Sequence, residues 1–208
     1  MTSAVILVLP AELDPAGWSV SIAGDSALCR AVAAVHGIGP VVIAAAEPNA
    51  QPAWNDLVAK GFGDVTVLPL LGAADAQSCL RSALSYVSRP PLCAPAVLVH
   101  DVRHPLAPAA LAERVGAALA DAEVVLPVVA MTDSVKTLGA QGDVGSNVDR
   151  AELVTVQYPR GYSIAALARL IEGADLTAEA VTVPGDPNAF AVDLIRDGAL
   201  VEAIVTAG

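Results

Sequence analysis

The side chain best placed for chemistry in this chain is Asp101, which ends the run Ala96-Val97-Leu98-Val99-His100 and is followed by Val102-Arg103-His104-Pro105. A short apolar run between prolines reads as a buried strand of the parallel type. An acid just past the carboxyl end of such a strand stands where open α/β sheets bind their ligands. The same residue type also serves simply to turn a chain, here toward the helix starting near Pro108.

A nucleotide-binding α/β protein would carry a second signal, a glycine-rich loop after its first strand with a Lys or Arg to neutralise phosphates. The corresponding loop reads Pro10-Ala11-Glu12-Leu13-Asp14-Pro15-Ala16-Gly17-Trp18, with one glycine, two carboxylates and no basic residue. Such a loop repels a triphosphate. Cys29, Cys79 and Cys93 form no C-x-x-C pair and lie near no histidines at metal spacing, so they read as reduced, packed thiols of a cytoplasmic protein. Trp18 and Trp54 read as packing residues, and His36 as a helix-end or surface histidine.

The elements that position Asp101 follow from composition and rhythm. Apolar residues make up 55% of the 208 positions but aromatics only 3%, so the core is built from Ala, Val, Leu and Ile, as in parallel strands packed by small-faced helices. Strands are expected at 4–9, 41–46, 65–68, 96–100, 124–129 and 181–183. Helices are expected at 26–35, 55–60, 75–87, 108–120, 164–171 and 193–206. This alternation argues for right-handed βαβ units in one three-layer α/β/α domain over 1–208. Only 135–138 and 153–156 depart from it, reading as an extended hairpin with apolar faces that one subunit does not cover. The net charge of −11, without a Lys/Arg cluster, argues against nucleic acid. No segment has the length of a membrane span, and no targeting signal is visible.

Four motifs in order carry a resemblance. They are His100-Asp101 with Pro105; Pro127-Val128 with Asp133-Ser134-Val135-Lys136; Asp149-Arg150 with Gln157, Pro159, Gly161 and Tyr162; and Gly185-Asp186-Pro187. Together they resemble the 2-C-methyl-D-erythritol 4-phosphate cytidylyltransferase family of the isoprenoid pathway. The resemblance covers about residues 64–205 and implies a Rossmann-like sheet, a protruding β-arm near 132–157 and a homodimer. It also implies a reaction in which CTP and the sugar-alcohol phosphate give 4-diphosphocytidyl-2-C-methyl-D-erythritol and pyrophosphate with Mg²⁺. On this basis Asp101 and Arg150 are catalytic, and Asp101 and Asp186 hold the metal. Ser78, Arg103, His104, Ser134 and Lys136 contact substrate.

Set against the family pattern, most of the expected cations are missing. The loop at 10–18 lacks the family's Arg and Lys. Asp75 stands in place of the Arg in the cytidine-receiving stretch Leu71–Ser78, and the Arg after His-Asp falls on His104, with Arg103 displaced by one position. Tyr158 replaces the Thr that grips the sugar phosphate from the partner subunit beside Arg150, and Ala191 replaces a late Lys. Losing one donor aimed at developing charge costs about 10²- to 10³-fold in rate. The chain is therefore expected to be a degenerate paralogue with lost or strongly reduced transfer, the alternative being an active cytidylyltransferase.

Overall fold

A computed structural model describes residues 3–207. The chain begins with β1 (Ala4–Leu9), a four-residue helix α1 (Pro15–Trp18) and a small ribbon of β2 (Ser21–Ile22) and β3 (Asp25–Ser26). It continues through α2 (Ala27–Val35), β4 (Val41–Ala46), α3 (Glu47–Ala59), β5 (Thr66–Leu70), α4 (Ala76–Val87), β6 (Ala96–His100), α5 (Ala109–Ala118) and β7 (Val124–Ala130). The last third holds β8 (Lys136–Leu138), β9 (Val144–Asn147), β10 (Val154–Val156), β11 (Arg160–Ser163), α6 (Ile164–Ile171), β12 (Val181–Pro184) and α7 (Gly198–Ala207).

Side-chain alternation along the strands builds two cores. In β1, Val5, Leu7 and Leu9 join Leu28 and Val32 of α2, Leu57 of α3 and Val115 of α5 on one face of the sheet. Ala4 and Ile6 join Cys79 and Ala83 of α4 and Leu167 of α6 on the other. Each sheet face is thus covered by helices, which is why these strands are apolar throughout rather than alternating. The result is the expected three-layer α/β/α, Rossmann-like arrangement.

The sheet runs β10-β7-β11-β6-β1-β4-β5, with β12 also on β7. β1, β4, β5 and β6 pair in parallel, and so do β7 and β12. β11 enters antiparallel between β6 and β7. Val125 pairs with both Gly161 and Val181, and Val128 with both Val156 and Pro184, so β12 forms the outer edge while β10 and β11 share the inner side of β7. β6 is the middle strand, which places Asp101 at the carboxyl edge of the sheet's centre.

Four expectations need correction. The hairpin pairs β8 with β9, Lys136 opposite Asn147 and Leu138 opposite Val144, whereas 154–156 joins the main sheet as β10. The arm is thus confined to about 132–153. α3 starts at Glu47, not Asn55, because Pro48 sits in its first turn, where the missing N–H is no loss, and Pro52 is tolerated inside the helix. The C-terminal helix begins at Gly198, because the Asp193 carboxylate accepts hydrogen bonds from the amides of Ile195 and Arg196 and holds that segment in a turn. Cys29 and Cys79 are buried, but Cys93 is exposed with a φ of 43°.

The antiparallel insertion depends on one small residue. A Cβ on Gly161 would lie 2.8 Å from Leu119 and 2.9 Å from Val115 of α5. Gly161→Ala is expected to lower stability by about 1–3 kcal/mol through overpacking. Gly63→Ala, where a Cβ meets nothing within 4 Å, should leave it unchanged; guanidinium unfolding midpoints of the two variants make the comparison.

Candidate functional site

A cavity of about 610 Å³ opens at the carboxyl edge, between the ends of β1 and β6 and the helices α4 and α6. Its walls are apolar, from Val8, Leu80, Val99, Leu170 and Ile171, and its polar groups are Glu12, Gln77, His100, Asp101, Arg103 and Tyr158. Its geometry follows from strand parity. His100 is the β-partner of Leu7 and shares that residue's sheet face, so the next side chain, Asp101, turns to the opposite face, where Val8 and Val99 lie.

Asp101 is already paired. Nε of Arg103 donates to both carboxylate oxygens at 3.1 Å, and the Arg103 backbone N–H donates to Oδ1 at 2.9 Å. Burial pushes the carboxyl pKa up, but the Arg103 hydrogen bonds and charge outweigh it and hold it below the ordinary range. The same bonds raise Arg103. The cation that lines the cavity is thus committed to the acid beside it. A Mg²⁺ at Asp101 would have to displace this guanidinium. Asp186 is not among the residues lining the cavity, and its Oδ1 accepts the Asn188 amide in an Asx turn. As arranged, these residues do not fit a divalent metal.

The loop after β1 is pinned by a residue the sequence reading passed over. Asn49, fully buried in the first turn of α3, donates Nδ2 to the carbonyls of Leu9, Pro10 and Leu13 at 3.4, 2.8 and 3.2 Å. Its Oδ1 accepts the indole N–H of buried Trp18 at 3.4 Å. The loop's own amides are already used: Ala11 donates to the Ala74 carbonyl before α4, Leu13 to Pro10, Ala16 to the Asp14 carboxylate and Gly17 to the Asp14 carbonyl. Few N–H groups are left to cradle a phosphate. Glu12 and Asp14 also line a second cavity of about 490 Å³, together with Asp193 and Ala191, the position of the family's late Lys.

His104 does not reach the cavity. It is buried, with its ring 5.0 Å from that of Tyr158, and the Arg160 guanidinium lies 4.2 Å above the Tyr158 ring. Arg160 and Tyr158 therefore stabilise each other by a cation–π contact. Ser78 is exposed on a different side of α4 from the cavity wall formed by Ala76, Gln77 and Leu80, and its amide is capped by Asp75. Ser134, Lys136 and Arg150 are exposed on the arm, where Arg150 donates to the Thr132 carbonyl. Gln157 is buried and makes a reciprocal amide pair with the Asp186 backbone at 2.8 and 2.9 Å, tying the Gly-Asp-Pro turn to the β10–β11 junction. Within one chain the structure therefore gathers Asp101, Arg103 and Tyr158 at the cavity and leaves the arm residues, Ser78 and Asp186 apart.

Two buried histidines set a pH dependence. Both ring nitrogens of His100 and Nδ1 of His104 are without a hydrogen-bond partner among the described residues. Burial pushes His100 down to about 3, with His104 adding to the shift. Burial, with Arg103 and Arg160 against Asp101, pushes His104 down to about 4. Unfolded histidines titrate near about 6.5, so between there and about 4 the unfolded chain binds more protons than the folded one, and stability falls as pH falls. Asp101 adds a loss of the same sign at lower pH, below the ordinary carboxylate range. Thermal unfolding from about pH 7 to 4.5 should show a slope reaching at most about 2–3 kcal/mol per pH unit, reduced by roughly half in His104→Phe. A flat profile would mean that these imidazoles are not held neutral.

The model of the 2-C-methyl-D-erythritol 4-phosphate cytidylyltransferase family matches residues 15–206. The enzyme of that name from Saccharopolyspora erythraea is 33% identical over 201 residues, covering 89% of each chain. The crystal structure of the Thermus thermophilus enzyme superposes with a TM-score of 0.73 at 24% identity, covering 99% of this chain and all of that one. A 4-diphosphocytidyl-2C-methyl-D-erythritol synthase superposes at 0.78 with 20% identity and 99% coverage of both; these structural likenesses carry the fold. With the motifs in order and the family match spanning nearly the whole sequence, this chain belongs to the 2-C-methyl-D-erythritol 4-phosphate cytidylyltransferase family.

Proposed function

We propose that the chain is a cytoplasmic, single-domain, degenerate member of the family, one that keeps the nucleotidyltransferase fold and arm but has lost or strongly reduced CTP-dependent transfer to methylerythritol phosphate. The observation that carries this reading is the state of charge at the sheet edge: Arg103 is engaged by Asp101, and the loop facing it presents Glu12 and Asp14. Phosphoryl transfer is catalysed mainly by positioning and by cations placed where charge develops. A nucleoside triphosphate approaching this edge meets carboxylates first. An active enzyme would use Mg²⁺ to neutralise phosphate charge, and Asp101, engaged by the Arg103 guanidinium, does not offer it a free carboxylate.

A second reading, an active cytidylyltransferase, is favoured by 33% identity over 89% of a protein that bears that name. The two separate in one assay. Pyrophosphate release from CTP, methylerythritol phosphate and Mg²⁺ should fall at least about 10²-fold below an active family member, the loss expected from a single missing donor. Calorimetry should detect no CTP binding. A rate within about tenfold of that member would establish the second reading.

We also propose a homodimer held in part by the arm. Leu138, Val144 and Val154 are 74, 68 and 52% exposed, and a two-stranded hairpin is marginal on its own. A closed two-fold dimer is the usual way to cover such a surface and would bring Ser134, Lys136 and Arg150 toward a partner's cavity. Analytical ultracentrifugation at micromolar concentration should give a dimer, and removal of 136–147 should give a monomer; a wild-type monomer would contradict the proposal.

A further inference from the structure

Between α4 and β5, the last strand of the sheet on that side, lies a groove of about 630 Å³ that is separate from the cavity at the carboxyl edge and has Ser78 on its wall. One wall is a polar stripe of α4 and its C-terminal cap: Ser78, Ser82, Ser85 and Arg89 recur at spacings of four, three and four, with Arg81 beside them. Residues at these spacings share one helix face. Leu68 and Pro69 of β5 and Tyr86 of α4 supply the apolar remainder.

The charge of this groove runs against that of the chain. Acidic residues outnumber basic ones 22 to 11, yet no carboxylate is among the described residues lining it. The two cavities at the sheet edge carry Glu12 with Asp101 and Glu12 with Asp14 and Asp193, and the hollows beside Trp54 and beside Lys60 carry Glu47 with Asp64 and Asp25. Lys60, Arg103, Arg169 and Arg196 all have carboxylate partners. Arg114, Arg150 and Arg160 donate to backbone carbonyls, whereas among the described residues Arg81 and Arg89 make neither a salt bridge nor a side-chain hydrogen bond, and the Ser82 and Ser85 hydroxyls make no hydrogen bond. Two guanidiniums without a carboxylate partner, with free hydroxyls between them, in a concave site that no carboxylate lines and where the nearby Asp75 is engaged by the Ser78 amide, match a phosphate-bearing ligand: arginine binds phosphate bidentately, and hydroxyls donate to the remaining oxygens.

We propose that the α4–β5 groove binds a small molecule carrying phosphoryl groups, with Arg81 and Arg89 on the charged oxygens, Ser82 and Ser85 donating between them, and Tyr86, Leu68 and Pro69 against the apolar part. Arg81 lies about one turn and a half before the end of α4 and Arg89 just past its C-cap Ser88, so the two guanidiniums approach the groove from well-separated points, and two linked phosphoryl groups suit the pair better than one. The inference is independent of whether the chain transfers cytidylyl groups, because Arg103 and Asp101 line a different cavity.

Inorganic pyrophosphate without metal serves as the probe, titrated into the full ¹⁵N-labelled chain at about 0.15 M salt, where the screening length is about 8 Å and diffuse attraction is suppressed. Saturable amide shifts are expected at Arg81, Ser82, Ser85 and Arg89. The R81Q/R89Q double variant, changed only at exposed positions, should bind at least about tenfold more weakly. Arg103→Gln should leave these shifts in place. Shifts confined to Glu12 and Asp101–Arg103, no shifts on α4, or α4 shifts that persist unchanged in the double variant would each overturn the proposal.

Discussion

One buried amide governs how the carboxyl edge of this sheet is arranged. Asn49 joins the end of β1, the loop that follows, the Trp18 indole and the first turn of α3 through four hydrogen bonds. Each partner is buried or half-buried, so removing the amide would leave several polar groups unpaired, each costing about 1–3 kcal/mol. A loop held this way cannot rearrange to wrap a phosphate without breaking the clamp. The fixed course of the loop also explains why α1 is only four residues long: it is a single turn that seats Trp18 in the core.

The second constraint is electrostatic and sits two residues apart in sequence. Asp101 is mostly buried at the end of the central strand, with its side chain 16% exposed, and its charge there requires a close cation. Arg103 is the neighbour that can supply one. At about 4 Å and a near-surface dielectric such a pair is worth about 4 kcal/mol before desolvation. Turning Arg103 toward an incoming phosphate would therefore leave Asp101 uncompensated beside Glu12. The acid and the base cannot both be free, which distinguishes this site from one in which several cations converge.

The fold was legible where burial and local capping determine structure. Continuous apolar runs marked β1, β4, β6 and β7. Ser26, Asp75 and Ser163 accept hydrogen bonds from the amides of Cys29, Ser78 and Ala166, and they set the starts of α2, α4 and α6. What escaped the reading depends on distant partners. Arg160–Ser163 is too short and too polar to look like a strand, and it pairs only because β6 and β7 leave an antiparallel slot. Leu153–Val156 has the alternation of a hairpin strand, but its partner is β7 rather than 136–138, and alternation carries no information about pairing. Two prolines hid the start of α3, and with it Asn49. At the site, the Asp101 position was readable from strand and turn chemistry. Its engagement by Arg103 and the stack of His104, Tyr158 and Arg160 were not, because they depend on side-chain directions that only the folded loops set.

These observations explain how such a chain keeps the family fold while its charges move. The two cores are fixed by residues at alternating positions in the strands and along one face of each helix, and those positions are mostly Val, Leu, Ile and Ala, joined by Trp18, Cys29, Cys79 and Tyr162. The charged groups of the sheet edge sit instead on segments that follow strands: Glu12 and Asp14 after β1, Asp75 after β5, Arg103 after β6 and Asp193 after β12. Exchanging a charge there alters little of the buried apolar surface, so fold and site vary independently. Substitution need not be neutral for electrostatics, however, since carboxylates gathered at one edge repel each other and anions alike. A chain of net −11 that keeps Arg81 and Arg89 without carboxylate partners along a single groove holds positive charge where no carboxylate lines the wall, on a side of α4 turned away from the cavity that Asp101 and Arg103 line.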